Sequence, residues 1–126
     1  MDVFLSDYGQ IADHYRRMLD DEQIEWEQGQ HSLERILEAD EVVKSPGIAP
    51  TTPVVKVVME KNIPIISEIE FAGRYTTAKM VCITGSNGKT TTTLLTYHIL
   101  REAGINVGLA GNVGRSLALQ VLRDPK

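Results

Sequence analysis

The order of apolar and polar residues predicts alternating strands and helices from the start of the chain. Residues 3–5 form a short apolar run that is typical of a strand. From Gln10 onward, apolar side chains recur at the spacing of a helix with one buried face. They are Ile11, Tyr15, Met18 and Leu19. Residues 24–27 then alternate apolar and acidic side chains, which is typical of a strand with one covered face.

The same alternation continues through the middle of the chain. A short helix is expected over Leu33–Leu37 and a strand over Glu41–Lys44, which the turn Ser45-Pro46-Gly47 ends. A loop that contains two prolines precedes the next helix. Its predicted buried face consists of Val54, Val57 and Val58.

Residues 64–72 predict one more strand and the start of a helix. Pro64-Ile65-Ile66 is the strand, and Ser67-Glu68-Ile69-Glu70 has the spacing of a capping box, in which a serine hydroxyl binds a backbone N–H group of the first helical turn. We therefore expect a helix to begin after Ser67 and to include Phe71 and Ala72.

A buried strand and a long helix are predicted farther along the chain. Residues 80–83 are a continuous apolar run, typical of a parallel strand covered on both faces, and Cys82 is expected there as a small core residue. A helix is predicted from Lys89 to about Ala103, with Gly104 as its C-terminal cap.

Residues 105–109 predict a further strand, and a turn at Gly111–Gly114 leads to an apolar segment over residues 117–122. Strands that alternate with helices indicate the α/β class, with parallel sheets and helices on their faces. The boundary between two domains is expected near Gly73–Ala78, which gives one domain over residues 1–74 and the beginning of another over residues 75–126.

Composition narrows the class of protein. The 126 residues are enough for one domain or for parts of two, and 42% hydrophobic with 24% charged residues is usual for a globular protein. The net charge is -4 and no basic run occurs, so nucleic acid is not an expected partner. No apolar stretch approaches the roughly 18 residues of a membrane span, and the N-terminus lacks the pattern of a signal peptide. With Cys82 as its single cysteine the chain can form no internal disulfide, and we expect a cytoplasmic location.

The candidate chemistry lies in the segment Thr84-Gly85-Ser86-Asn87-Gly88-Lys89-Thr90-Thr91. Gly85 and Gly88 can adopt positive φ angles, which direct backbone N–H groups toward phosphates at the start of a helix. Lys89 adds a charge for the β- and γ-phosphates, and the Thr90 hydroxyl can bind Mg²⁺. The segment therefore predicts an ATP-using enzyme.

The match to a phosphate-binding loop is incomplete. The strict pattern requires a glycine at position 83, where this chain has Ile83, so only the shorter G-x-x-G-K-T is present. An ordinary strand-to-helix turn with an incidental lysine is the alternative. Thr90–Thr93 favour the functional interpretation, because threonines are mediocre helix formers and a packing helix rarely begins with four of them.

Residues 84–91 resemble the shortened loop of the Mur ligases, the ATP-dependent enzymes that add amino acids in peptidoglycan synthesis. Three further segments resemble the D-glutamate-adding branch of this family in their residues and in their order along the chain. They are residues 43–48, 67–71 and 111–114. The resemblance covers nearly the whole chain and is weakest over residues 8–40.

The resemblance implies a Rossmann-like N-terminal domain, part of which is residues 1–74, and a central P-loop ATPase domain that begins in residues 75–126. It implies ATP and Mg²⁺ as cofactors, and UDP-N-acetylmuramoyl-L-alanine and D-glutamate as substrates. ATP phosphorylates the L-alanine carboxylate to an acyl phosphate, from which the D-glutamate amine displaces phosphate.

The resemblance also assigns site residues. Lys89 is the catalytic residue and Thr90 binds Mg²⁺; ATP contacts Gly85, Ser86, Asn87, Gly88, Lys89, Thr90 and Thr91. Ser45 and Asn112 match positions that touch the UDP-muramoyl substrate, and Asp7 matches an acidic residue near the uracil. Each of these three has an alternative as a turn or loop residue. His14, His31 and His98 have no second ligand at metal spacing, and we expect none to be catalytic.

The chain departs from the family pattern at both ends. It begins at what resembles the second strand, without the glycine-rich turn for the UDP phosphates, and after Thr90 its only carboxylates are Glu102 and Asp124, neither well placed for Mg²⁺. We expect a monomeric fragment of a longer ligase that is inactive alone. A non-catalytic ATP-binding module, a folylpolyglutamate synthase or other Mur ligase, and an unrelated P-loop kinase or GTPase remain as alternatives.

Overall fold

A computed structural model of the chain describes residues 1–111, 113 and 115–124. The predicted substrate residue Asn112 lies outside the described residues. The chain divides into two compact units, one of residues 1–66 and the other of the described residues from Ser67 onward. Among the described residues, none of the helices has the length and apolar character needed to cross a membrane.

The first unit alternates strands and helices in the predicted order. Its strands are β1 (Phe4–Asp7), β2 (Glu25–Gln28), β3 (Val42–Val43) and β4 (Ile65–Ile66). Its helices are α1 (Asp13–Asp21), α2 (Leu33–Leu37) and α3 (Pro53–Glu60). This order confirms the predicted α/β class.

Both sheets of the first unit are parallel pairs, as the α/β pattern predicts. β1 pairs with β2, so that Phe4 lies opposite Glu25 and Asp7 opposite Gln28. β3 pairs with β4 in a second sheet. Because the strands of each pair run in the same direction, the carboxyl ends of β1 and β2 meet at one edge.

The core of the first unit includes three branched aliphatic side chains, Val55, Val58 and Ile66. The prediction of Val58 as a buried residue of α3 is confirmed. Val54 and Val57, which were also predicted for the buried face, are only half-buried, and that part of the prediction is wrong. Pro53 occupies the first helical position, and from there the buried positions three residues apart are Val55 and Val58.

In the second unit, α4 (Glu68–Gly73) packs against α6 (Leu117–Arg123), and α5 (Lys89–Glu102) lies between them in sequence. The Ser67 hydroxyl accepts a hydrogen bond of 3.1 Å from the Glu70 N–H, which confirms the predicted helix start. Ala72 of α4 and Val121 of α6 are buried. Glu68 Oε1 accepts a hydrogen bond of 2.6 Å from the Ala118 N–H and links the two helices.

The predicted strands at residues 80–83 and 105–109 are wrong, because neither segment is a strand in the structure. A strand needs a neighbour for its backbone N–H and C=O groups. In the described part of the second unit, the β pairing found is an isolated antiparallel bridge between Gly111 and Arg115. The apolar run is accordingly exposed, with Val81 at 68% of its surface, and Cys82 is exposed rather than part of the core.

Candidate functional site

Two glycines of the segment before α5 adopt positive φ angles. Gly85 has φ +147° and Gly88 has φ +75°, angles that a residue with a Cβ rarely adopts. Gly88 is the N-cap residue of α5, and no side chain caps this helix end. The first N–H groups of a helix have no partner within the helix, so the N-terminus of α5 offers donors and the positive end of the helix dipole to an anion.

Lys89 folds back over this loop. Its Nζ donates hydrogen bonds to the carbonyl oxygens of Gly85 and Ser86, the latter at 3.4 Å. The Lys89 carbonyl accepts a hydrogen bond of 2.7 Å from the Thr93 hydroxyl. The ammonium group therefore lies beside the loop, where a phosphate oxygen can replace a carbonyl as its partner.

The hydroxyl groups of Thr90 and Thr91 lie in the exposed first turn of α5. After Thr90 the described residues contain two carboxylates, Glu102 and Asp124. Glu102 is the last residue of α5, roughly 20 Å from its start at the usual helical rise, and Asp124 binds the Asn106 amide at 2.8 Å. Within residues 1–111, 113 and 115–124, no group of three or more His, Cys, Asp or Glu side chains could hold a metal ion.

Asp7 lies at the carboxyl end of β1, as predicted. Its Oδ1 accepts a hydrogen bond of 2.7 Å from the Gly9 N–H, and its carbonyl accepts one of 2.9 Å from the Gly29 N–H. The turn role that the sequence left open is thus present in the structure. The carboxylate is nevertheless exposed, so this turn does not prevent it from contacting a ligand.

Ser45 follows β3 and belongs to the edge of the other sheet. Its carbonyl accepts hydrogen bonds from the Ile48 N–H at 3.1 Å and from Lys44 Nζ at 3.2 Å. Lys44 Nζ also donates to the Ile48 carbonyl at 2.7 Å. These contacts close a short turn that leaves the Ser45 side chain exposed.

A polar cluster at the β1–β2 edge has no counterpart in the sequence-based predictions. The Ser6 hydroxyl donates a hydrogen bond of 2.7 Å to Glu27 Oε1 and lies 2.6 Å from His31 Nδ1. The Ser32 N–H and hydroxyl donate to the two Glu27 oxygens at 2.7 and 2.5 Å. Gln30 Nε2 donates to Glu27 Oε2 at 3.3 Å. Because Ser6 meets Glu27 and His31 only when β1 pairs with β2, local sequence spacing could not have shown these two contacts.

Glu27 is held in its charged form. Burial raises the pKa of its carboxyl group, but the hydrogen bonds from Ser32, Ser6 and Gln30 outweigh burial and lower the pKa below its ordinary value. The cluster is therefore built around a carboxylate at neutral pH.

Two family models match this chain, and both describe domains of Mur ligases. Residues 1–54 match the family described as the MurD N-terminal domain, and residues 83–123 match the Mur ligase middle domain. The resemblance predicted from the sequence is confirmed.

Individual relatives point to one branch of that family. Over 123 residues the chain is 63% identical to the UDP-N-acetylmuramoylalanine--D-glutamate ligase of Bacteroides fragilis and 58% identical to that of Bacteroides thetaiotaomicron. Over the same length it is 61% identical to the ligase of that name from Porphyromonas gingivalis. These alignments cover 98% of this chain and 27% or 28% of each relative. The chain thus spans little more than a quarter of the length of these proteins.

Proposed function

We propose that this chain is part of an ATP-dependent ligase that adds D-glutamate to UDP-N-acetylmuramoyl-L-alanine in peptidoglycan synthesis. Relatives that share 58–63% of its residues carry that ligase name. The observation that supports the proposal best is the loop before α5. Two glycines at positive φ lead into a helix N-terminus that no side chain caps, and Lys89 folds over the loop.

The residues of the loop fit the phosphate groups of ATP. The loop presents backbone N–H groups to the ligand at Gly85, Ser86, Asn87 and Gly88. The first turn of α5 provides further N–H groups at Lys89, Thr90 and Thr91. When bound, ATP supplies the phosphoryl group that converts the L-alanine carboxylate into an acyl phosphate, from which the D-glutamate amine displaces phosphate. The loop itself holds the phosphates, and its glycines keep bulky side chains away from them.

Lys89 is the proposed catalytic residue. Its ammonium group leaves the Gly85 and Ser86 carbonyls and contacts the phosphate oxygens, where it neutralises negative charge during transfer. The Thr90 hydroxyl is the proposed protein ligand of Mg²⁺. The Thr90 hydroxyl alone would hold Mg²⁺ weakly, because Mg²⁺ sites normally include carboxylates together with substrate phosphates.

Asp7, Ser45 and Asn112 are the proposed contacts of the UDP-muramoyl substrate. Asp7 lies at the carboxyl edge of a parallel strand pair, where α/β proteins usually bind ligands, and Ser45 is exposed after β3. The domain boundary between residues 74 and 75, a monomeric state and a cytoplasmic location remain predictions.

A chimera of this chain with a relative tests the proposal. The segment of the Bacteroides fragilis ligase that aligns with this chain is replaced by this chain, and phosphate release is measured with UDP-N-acetylmuramoyl-L-alanine, D-glutamate and Mg-ATP. We expect D-glutamate-dependent phosphate release from the chimera and none from the chain alone. Lys89→Ala should lower the rate of the chimera by about 100-fold or more, the usual cost of one electrostatic contact to the transition state.

Lys56→Ala is the matched control, because Lys56 is an exposed lysine of α3 outside the loop. It should leave the rate unchanged. An inactive but folded chimera that still binds ATP would refute the ligase proposal and favour the ATP-binding module. Normal turnover of the Lys89→Ala chimera would refute the role of Lys89.

A further inference from the structure

The turn that follows β3 is held by the side chain of the lysine that precedes it. The Ile48 N–H donates to the Ser45 carbonyl at 3.1 Å, which closes a turn of Ser45, Pro46, Gly47 and Ile48. Lys44 Nζ donates to the carbonyls at both ends of this turn, to that of Ser45 at 3.2 Å and to that of Ile48 at 2.7 Å. One ammonium group therefore joins the first residue of the turn to the last.

The backbone of Lys44 is fixed by the second sheet. Its N–H donates to the Ile66 carbonyl at 2.9 Å, next to the bond of 2.8 Å from the Val42 N–H to the Pro64 carbonyl. These bonds belong to the parallel pairing of β3 with β4. Because the main chain of Lys44 is held in this way, its ammonium group ties the turn to the end of the sheet.

The aliphatic part of the Lys44 side chain has a different environment from its charged end. Lys44 is half-buried and lines an open apolar groove together with Pro50, Val55, Met59 and Ile65. Lysine commonly buries its methylene groups along apolar surface and keeps its charged end in a polar place. Methionine is also unbranched and apolar but carries no charge. Lys44→Met therefore removes the ammonium group and keeps a side chain that can cover the groove.

The turn benefits from a strong restraint. Ser45, Pro46 and Gly47 are exposed, and glycine allows its backbone more conformations than any other residue does. Hydrogen bonds from a charged donor are stronger than those between neutral groups. A loop that is already ordered in its bound conformation loses less freedom when a ligand binds. The Lys44 ammonium group is thus suited to order the turn before a ligand arrives.

We propose that Lys44 is a positioning residue for the UDP-muramoyl substrate, and that it acts by holding the turn of residues 45–48 without contacting the substrate itself. The inference rests on the proposed function, in which Ser45 is a contact of that substrate. Loss of the ammonium group should loosen the turn in the chain without ligand and weaken substrate binding. It should leave phosphoryl transfer unchanged, because that step is assigned to Lys89 and the loop before α5.

Steady-state kinetics of the ligase chimera provide the first test. Lys44→Met should raise the KM for UDP-N-acetylmuramoyl-L-alanine by about tenfold, the scale of one lost hydrogen bond from a charged group. The kcat and the KM for ATP should stay unchanged, which is the pattern expected when binding energy alone is lost. Lys44→Arg should restore the KM, because the guanidinium group keeps the charge and several N–H donors.

Hydrogen exchange of the full chain without ligand provides the second test. Lys44→Met should accelerate exchange of the Ile48 N–H, which closes the turn, by about tenfold. The Val42 N–H should keep its rate, because the pairing of β3 with β4 is intact. Lys44→Arg should return the Ile48 N–H to its original rate.

Lys56→Met is the matched control, since it makes the same change at an exposed lysine of α3. It should alter neither the KM nor the exchange of the Ile48 N–H. If Lys44→Met lowers kcat through loss of folded protein, seen in urea unfolding, while the KM stays the same, Lys44 has only a structural role and the inference is wrong.

The remaining outcomes separate the inference from the proposed function. An active Lys44→Met chimera with an unchanged KM would overturn the inference and leave the proposed function intact. A raised KM with unchanged exchange at Ile48 would also overturn it, because Lys44 would then contact the substrate directly. An inactive but folded chimera contradicts the proposed function and, with it, the role of Lys44 in substrate binding.

Discussion

Ser6 and Glu27 are direct partners in the β1–β2 pair, and the Ser6 hydroxyl donates a 2.7 Å hydrogen bond to Glu27 Oε1. Since Glu27 also accepts the N–H of Ser32, the N-cap residue of α2, one carboxylate connects both strands to the start of the following helix. A charged acceptor forms stronger hydrogen bonds than a neutral one. The charge state of Glu27 should therefore affect the stability of the first unit.

The lowered pKa of Glu27 predicts that the stability of the first unit depends on pH. Its folded pKa lies below the ordinary value of 4.5, so its stabilisation is fully present above pH 4.5 and is lost as the pH falls through the folded pKa. Glu27→Gln should cost about 1 kcal/mol at pH 7, the scale of a hydrogen bond. In urea unfolding, the difference from the unsubstituted chain should shrink as the pH is lowered below 4.5. Glu60→Gln, at the exposed end of α3, is the control. If the difference in stability between Glu27→Gln and the unsubstituted chain stays constant with pH, the lowered pKa of Glu27 is contradicted.

Ser67 predicts a local loss of protection in α4. Ser67→Ala removes the hydroxyl that accepts from the Glu70 N–H, at a typical cost of about 1 kcal/mol. Amide exchange at Glu70 should accelerate by about fivefold, the rate equivalent of that energy. Thr52 occupies the same N-cap position of α3 but makes no capping hydrogen bond through its side chain, so Thr52→Ala should leave exchange in α3 nearly unchanged. Equal acceleration of exchange in Ser67→Ala and Thr52→Ala would show that the Ser67 hydroxyl does not stabilise the start of α4 as a cap.

The contrast between Ser67 and Glu27 shows how far the sequence could predict this fold. The helix starts after Ser67 and at Lys89 and the strand order of the first unit depend on near neighbours, and these predictions were right. The Ser6–Glu27 bond joins residues 21 positions apart, and it follows from strand register, which local patterns do not determine. The strands at residues 80–83 and 105–109 were predicted from apolar runs alone. An apolar run shows that a segment can be covered, but a partner must still supply the hydrogen bonds.

Gly88 predicts a backbone requirement at the candidate ATP site. Its φ of +75° disfavours any residue with a Cβ, although a Cβ there would meet no atom within 4 Å. Gly88→Ala should therefore destabilise the start of α5 by about 1 kcal/mol through conformation alone. It should also weaken ATP binding in calorimetric titration, while Gly88→Asn should retain more affinity because asparagine tolerates positive φ. Gly47→Ala is the control, since Gly47 has open space and no positive φ. An unaffected Gly88→Ala variant would exclude this loop conformation.

Cys82 predicts rapid reaction with thiol reagents in the folded chain. The residue lies in the apolar run that was expected to be a buried strand, and the structure leaves it exposed. Thiol reactivity depends on access and on thiolate fraction, so native Cys82 should react with a disulfide reagent at a rate close to that of the chain unfolded in urea. The measurement is unambiguous because the chain has one cysteine. Strong protection in the chain by itself would show that residues 80–83 are already covered in solution.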